Sequence, residues 1–235
     1  MTGMLILLQT DLTGAAADAM TNQEGSEITL SFFELAMKGG WVMVPILFLS
    51  VVAIYIFSER FFAISKASKM DINFMNRIKD YIHEGKLDSA HALCQSIKNP
   101  IARMIEKGIN RIGRPLNDVS AAIENVGKLE IYKLEKGLPV LATCAGGAPM
   151  LGFLGTVMGM VRAFYDMSMS GNNIDVSLLS NGIYTALITT VAGLIVGILA
   201  YFAYNILVSN VEKVVFQLEA HSTEFMDLLN EPVKR

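Results

Sequence analysis

Charge is what this sequence withholds. Only 17% of its 235 residues are Asp, Glu, Lys or Arg, and three runs hold none: Trp41 to Phe57, Leu138 to Val161 and Val176 to Val211. Mean hydropathy is +0.44 and about half of the residues are apolar, which excludes an ordinary soluble domain of this size. Cysteine is scarce as well. Cys94 stands in a polar segment and Cys144 in an apolar run, so no disulfide framework is expected and both read as small buried hydrophobes. The three histidines, His83, His91 and His221, lie apart in polar segments and match no metal-ligand spacing. Neither a glycine-rich phosphate loop nor a nucleophile motif occurs, since GAPMLGFLG has no strand before it. No cofactor, metal or enzyme chemistry is expected. The opening MTGMLILLQT has a five-residue apolar patch with no Lys or Arg ahead of it and does not fit a secretory signal, so residues 1–27 read as a disordered tail.

What is present is membrane-spanning length. A helix needs about 20 apolar residues to cross a hydrocarbon core of about 30 Å. Leu138 to Val161 qualifies, and the 36 residues from Val176 to Val211 allow a span that continues into water. Trp41 to Phe57 has 17, at the lower limit, and is bracketed by Trp41 and by Phe61 and Phe62 as interfacial anchors. The fold class is therefore all-α: a polytopic membrane protein with three transmembrane helices, the second and third extended into a cytoplasmic helical bundle. The expected organisation is a first span within 28–64 with a short helix on its outer side, and a helical segment over 65–117. A long helix over 118–164 includes the second span, a loop covers 165–176, the third span with its extension covers 177–230, and a tail follows over 231–235.

Cations set the orientation. The segment between the first and second spans has fourteen Lys and Arg, against one before the first span and one between the second and third. Because Lys and Arg near span ends stay inside, that segment is expected in the cytoplasm, with the N-terminus and the 165–176 loop outside and the C-terminus inside. Its mild basic excess suits topology and anionic lipid rather than nucleic acid.

The polar segment reads as helices. Ile72, Met75, Ile78 and Ile82 recur at helical spacing before Gly85; Leu87, Ala90, Leu93 and Ile97 repeat the pattern before Pro100. Ile101, Met104, Ile105, Ile109 and Ile112 follow, closed by Gly113 and Pro115, and Asn117 and Asp118 offer N-caps for the long helix, with Gly127 and Gly137 as tolerated costs or bend points. After the third span, Val208, Val211, Val215, Leu218, Ser222, Phe225 and Leu229 alternate steps of three and four. That is a heptad seam, and a seam needs a partner.

Two spans have a small face. Gly182, Ala186, Thr189, Thr190, Gly193, Gly197 and Ala200 fall within roughly 100° of arc, and Thr185 lies about 40° outside it. In the second span Ala145, Ala148, Gly152, Gly155, Thr156, Gly159 and Ala163 group likewise. Gly152, Gly155, Gly159, Gly193 and Gly197 are the helix-packing candidates, because small residues let backbones approach in lipid. The threonines have two readings: hydroxyls bonded back to backbone carbonyls, or the lining of an ion path made of Thr156, Thr190, Thr189 and Thr185.

APMLGFLGTVMGMVRAF and GIYTALITTVAGLIVGI resemble the paired span signatures of the MotA/TolQ/ExbB proton-channel family, and NPIARMIEKGINR is similar to its ExbB and TolQ branch. MotA-type stators, with four spans, resemble the chain less. The resemblance implies a bacterial inner-membrane motor subunit that converts proton flow into work. Several copies, typically five, would surround the single spans of ExbD-like subunits and energise TonB-dependent outer-membrane transport through a TonB-like partner. The family's pore threonines match Thr156 in LGTVMG and Thr190 in ITTVAG. Its third-span glutamate matches Thr185, a departure that leaves no acid inside any span, so the proton carrier is expected on the partner's membrane aspartate. A TolQ-like or gliding-type motor, sodium in place of protons, and a scaffold that does not conduct remain the alternatives.

Overall fold

The computed structural model describes residues 39–69, 71, 73–169 and 176–230, the side chain of residue 178 excepted. The expected tails over 1–27 and 231–235, the helix expected before the first span, Ile72, and residues 170–175 of the expected loop lie outside the described residues. Among the described residues there are seven helices and no strand: α1 Met43–Ser68, α2 Phe74–His83, α3 Leu87–Ser96, α4 Pro100–Ile109, α5 Leu116–Glu135, α6 Leu138–Met169 and α7 Val176–Asn230. Three stretches of helix, carrying α1, α6 and α7, are long and apolar enough to cross a membrane. With 55 residues at 1.5 Å each, α7 is about 82 Å long, more than twice the hydrocarbon core of about 30 Å.

Inside the apolar stretch α6 and α7 pack along their length, and α1 lies against both. Beyond it, α7 continues as a mast against which α4 and α5 pack, with α3 on α4 and α2 touching α3 and α7. The core of this bundle is made of large side chains. Phe74, Ile78, Ile101, Ile105, Ile123 and Phe225 are fully buried in one cluster. Met75, Ile78, Met104, Ile105 and Ile109 stand on its inner side, as their spacing predicts. Of the heptad seam, Val211, Leu218 and Phe225 are buried by the chain's own helices, whereas Val208, Val215 and Leu229 are only partly covered.

Three local features depart from the simplest reading. α5 begins at Leu116 after Pro115, so Asn117 and Asp118 sit in the first turn rather than at the cap; Asp118 there complements the positive end of the helix. The second span does not run unbroken from α5. Gly137 adopts φ 93°, a left-handed conformation that glycine takes without a Cβ penalty, and the chain turns there before α6. α6 continues as helix to Met169, past the expected start of the loop.

Polar ties hold the bundle to α1. Buried Asn99 accepts from the Ile101 N–H at 2.9 Å as the cap of α4, and its Nδ2 donates to the carbonyls of Ala67 and Lys69 at 3.0 Å each. This satisfies an otherwise costly buried amide and fixes the end of α1 against the start of α4. Arg60 Nη1 of α1 donates to the Lys133 carbonyl at 3.1 Å.

Candidate functional site

The α6/α7 seam is built by the absence of side chains. A Cβ added to Gly193 would lie 2.6 Å from the Ala148 carbonyl oxygen and 2.9 Å from the Gly152 Cα. One added to Gly152 would lie 3.0 Å from the Thr189 carbonyl oxygen and 3.1 Å from the Thr190 Cα. Gly155 faces the Thr189 side chain, Gly159 faces Ala186, and Gly197 faces the Pro149 ring and the Ala145 carbonyl. The five glycines picked out by the small-face pattern thus stand in one continuous contact between two backbones. Lipid offers no hydrophobic drive for such a contact, so close packing has to supply the attraction.

The hydroxyls divide by position. Thr189 is 1% exposed, wedged against Gly155, and its Oγ1 donates to the Ala186 carbonyl at 2.7 Å. Thr190 reaches across the seam, Oγ1 donating to the Gly152 carbonyl at 3.0 Å. Thr156 donates to the Phe153 carbonyl at 2.6 Å and is half-buried, as are Thr185 and Thr190. The structure therefore brings Thr189 and Thr190 together with the glycines and leaves Thr156 and Thr185 nearer the edges of the pair. With backbones in contact at Gly152 and Gly193, a polar path does not open between α6 and α7 of one copy at that level. Half-buried hydroxyls can face such a path only where another helix completes it.

No Asp, Glu, Lys, Arg or His stands within the apolar runs. The buried charge is elsewhere, and its residue types and spacing did not single it out in the sequence. Glu130 of α5, 4% exposed at its side chain, pairs with Arg103 of α4 and, at 2.7 Å, with Lys133 one turn along. Burial pushes its carboxyl up, but the hydrogen bonds and charges of Arg103 and Lys133 outweigh that and hold it below the usual glutamate value. The i, i+3 spacing of Glu130 and Lys133 was the available signal, and it is common on solvated helices. His91 Nε2 lies 3.2 Å from Glu106 Oε1, and the buried Cys94 thiol is pushed up to about 12 by desolvation, with Glu106 adding to it. Such a thiol is inert. Both cysteines are buried and free, and no cluster of three or more metal-ligating side chains occurs among the described residues.

The chain is similar in sequence to known proteins. The model of the MotA/TolQ/ExbB proton channel family matches residues 96–220, which include α4 to α6 and most of α7. A biopolymer transport protein ExbB homologue of Methanothermobacter thermautotrophicus is 32% identical over 135 residues, 57% of this chain and 47% of its own length. The biopolymer transport protein ExbB-like 1 of Synechocystis is 29% identical over 175 residues, 74% of this chain and 69% of its own. The Tol-Pal system protein TolQ of Haemophilus influenzae is 29% identical over 175 residues, covering 74% and 73%. The chain thus spans about half the length of the archaeal relative and more of the two bacterial ones.

Proposed function

The chain belongs to the MotA/TolQ/ExbB proton channel family, and from that membership we propose that it is the multi-copy channel subunit of an inner-membrane complex of the ExbB–ExbD type. In this reading several copies, five by the family resemblance, enclose the single spans of ExbD-like subunits and use the proton motive force to drive a TonB-like partner. The observation that carries it is a division of chemistry. The α6/α7 seam has hydroxyls at Thr156, Thr185 and Thr190 that another helix can reach, and no carboxylate that could carry a proton.

A carboxylate in hydrocarbon is costly when charged, and so takes and releases protons readily; it belongs to the partner's span here. The hydroxyls supply donors, acceptors and room for water beside it. Each proton that crosses yields about 2.3 kcal/mol per 100 mV, enough for a few protons to move a packed helix by one step. The fourteen cations between the first two spans support an orientation with the α2–α5 bundle in the cytoplasm and the α6/α7 connection outside.

The test replaces shape-conserved hydroxyls. With the partner present in vesicles, Thr156→Val with Thr190→Val should abolish proton flux while copurification persists, because a methyl interrupts a hydrogen-bonded route in a dry site. The matching Thr→Ser pair, which keeps both hydroxyls, should retain flux. Full flux through the valine pair would leave the threonines as packing residues and favour a scaffold that does not conduct.

A further inference from the structure

The heptad seam of α7 is only half closed. On its open side, where α5 turns into α6, a groove of about 720 Å³ is floored by Val211, Val215 and Leu138. Three carboxylates, Glu135, Glu212 and Glu219, line it too, and none makes an ion pair among the described residues. Phe216 stands in the same lining, 72% exposed. Lys128, 3.9 Å from Glu124, lies beyond the far end. An apolar floor, an exposed aromatic ring and an acidic rim fit an apolar and cationic occupant. They repel an anionic lipid surface.

The chain itself has such a surface. In a patch centred about 130° round α5 from the groove-lining Ile131 and Glu135, Leu129 and Tyr132 are 60% and 70% exposed. Lys133 and Lys136 share their arc, all four within about 100° at helical spacing. Lys136 is exposed, and Lys133 keeps most of its side chain in solvent while touching Glu130.

The two patches are also at equal height. Glu135 of the groove and Lys136 of the second patch are consecutive residues, and Tyr132 is one turn from both. Copies that share one bilayer and are related by an axis along its normal stand at the same depth, so only patches at equal depth can meet. We propose that the α5 face of one copy, Leu129, Tyr132 and Lys136, docks into the Glu135/Glu212/Glu219 groove beside Phe216 of the next. Two different patches joined this way form a heterologous contact, which closes into a ring when its rotation allows. Tyr132 and Phe216 are its aromatic anchors, and the charges fix its register. The inference rests on the homo-oligomeric part of the function proposed above and names the surfaces that make it.

The test uses the full chain in its native membrane with a short thiol cross-linker. Copies carrying both Tyr132→Cys and Phe216→Cys should give a ladder of covalent oligomers, and either single substitution should give none. Because each 1.4 kcal/mol of contact is tenfold in affinity, adding Glu212→Lys with Glu219→Lys should reduce the ladder about tenfold or more. Adding Lys136→Glu to that variant should recover part of it. An oligomer of normal size without a ladder would overturn the interface, and so would cross-linking of Phe216→Cys to a single-span partner. A chain that is monomeric in the membrane would remove the homo-oligomer itself. A complete ladder without proton flux supports the interface and counts only against conduction.

Discussion

The two halves of this molecule hold together by opposite means. Where the chain crosses the membrane, α6 and α7 touch through glycine and alanine, with Gly193 against Ala148 and Gly152. In the bundle outside it, contact is made by Phe74, Phe225, Ile105 and other large side chains that are fully buried. Solvent explains the contrast. Water rewards burial of apolar area at roughly 25 cal/mol per Å², so big side chains stabilise the bundle. Lipid does not, and there the closest backbone approach gives the most dispersion contact and the shortest interhelical hydrogen bonds.

The same substitution type should therefore do opposite things in the two halves. Gly193→Leu is expected to have the largest effect. Its side chain would drive into the Ala148 carbonyl and the Gly152 backbone, neither of which is a flexible side-chain end. Insertion should persist, since leucine is welcome in lipid, but the α6/α7 contact should be lost. A cysteine pair across the seam, cross-linkable in the parent, should fail to cross-link in the variant. Retention of the cross-link would mean that the seam adapts and that close approach is not what joins the helices.

Phe225→Ala breaks the other half. Phe225 is fully buried between α7 and the bundle and lies against Gly108 of α4. Removing the ring should cost about 3–5 kcal/mol, the range for aromatic truncation in a core. Limited proteolysis of α2 to α5 should accelerate while the α6/α7 cross-link stays intact. Loss of both together would show that the halves form one cooperative unit.

The sequence disclosed these halves unequally. The spans were legible because exclusion of charge over Leu138 to Val161 leaves no other reading, and the glycine faces because their period is helical. The bundle core was legible from Met75, Ile78, Met104 and Ile105 at the same period. What was not legible depends on through-space pairing. In the sequence Asn99 is simply the residue before Pro100, and only the fold shows it capping α4 and its amide bridging to Ala67 and Lys69. Glu130 is one of ten acids in its segment, and nothing in its neighbours along the chain separates it from the solvated ones. The threonines carried the right residue type for an ion path, yet the partners of their hydroxyls are set by how α6 and α7 meet.

Glu130 gives the smallest expected effect and sharpens the contrast, because it is a charge buried in the water-exposed half while the membrane half has none. Its carboxyl is held below the ordinary value of 4.5 by Arg103 and Lys133, against the upward push of burial. A group whose folded value is depressed contributes stability that is present above the unfolded value and is lost as pH falls through the folded one. The bundle should therefore weaken from about pH 4.5 downward. Glu130→Gln should remove that part of the profile and lower stability at neutral pH by on the order of 1–2 kcal/mol, since Arg103 and Lys133 stay 44% and 64% exposed and can return to water. Thermal melting of the detergent-solubilised chain across pH 3 to 7 measures both. An acid limb as steep in Glu130→Gln as in the parent would assign it to other carboxylates and leave the Arg103–Glu130–Lys133 cluster as a tie between α4 and α5 whose charge state does not matter.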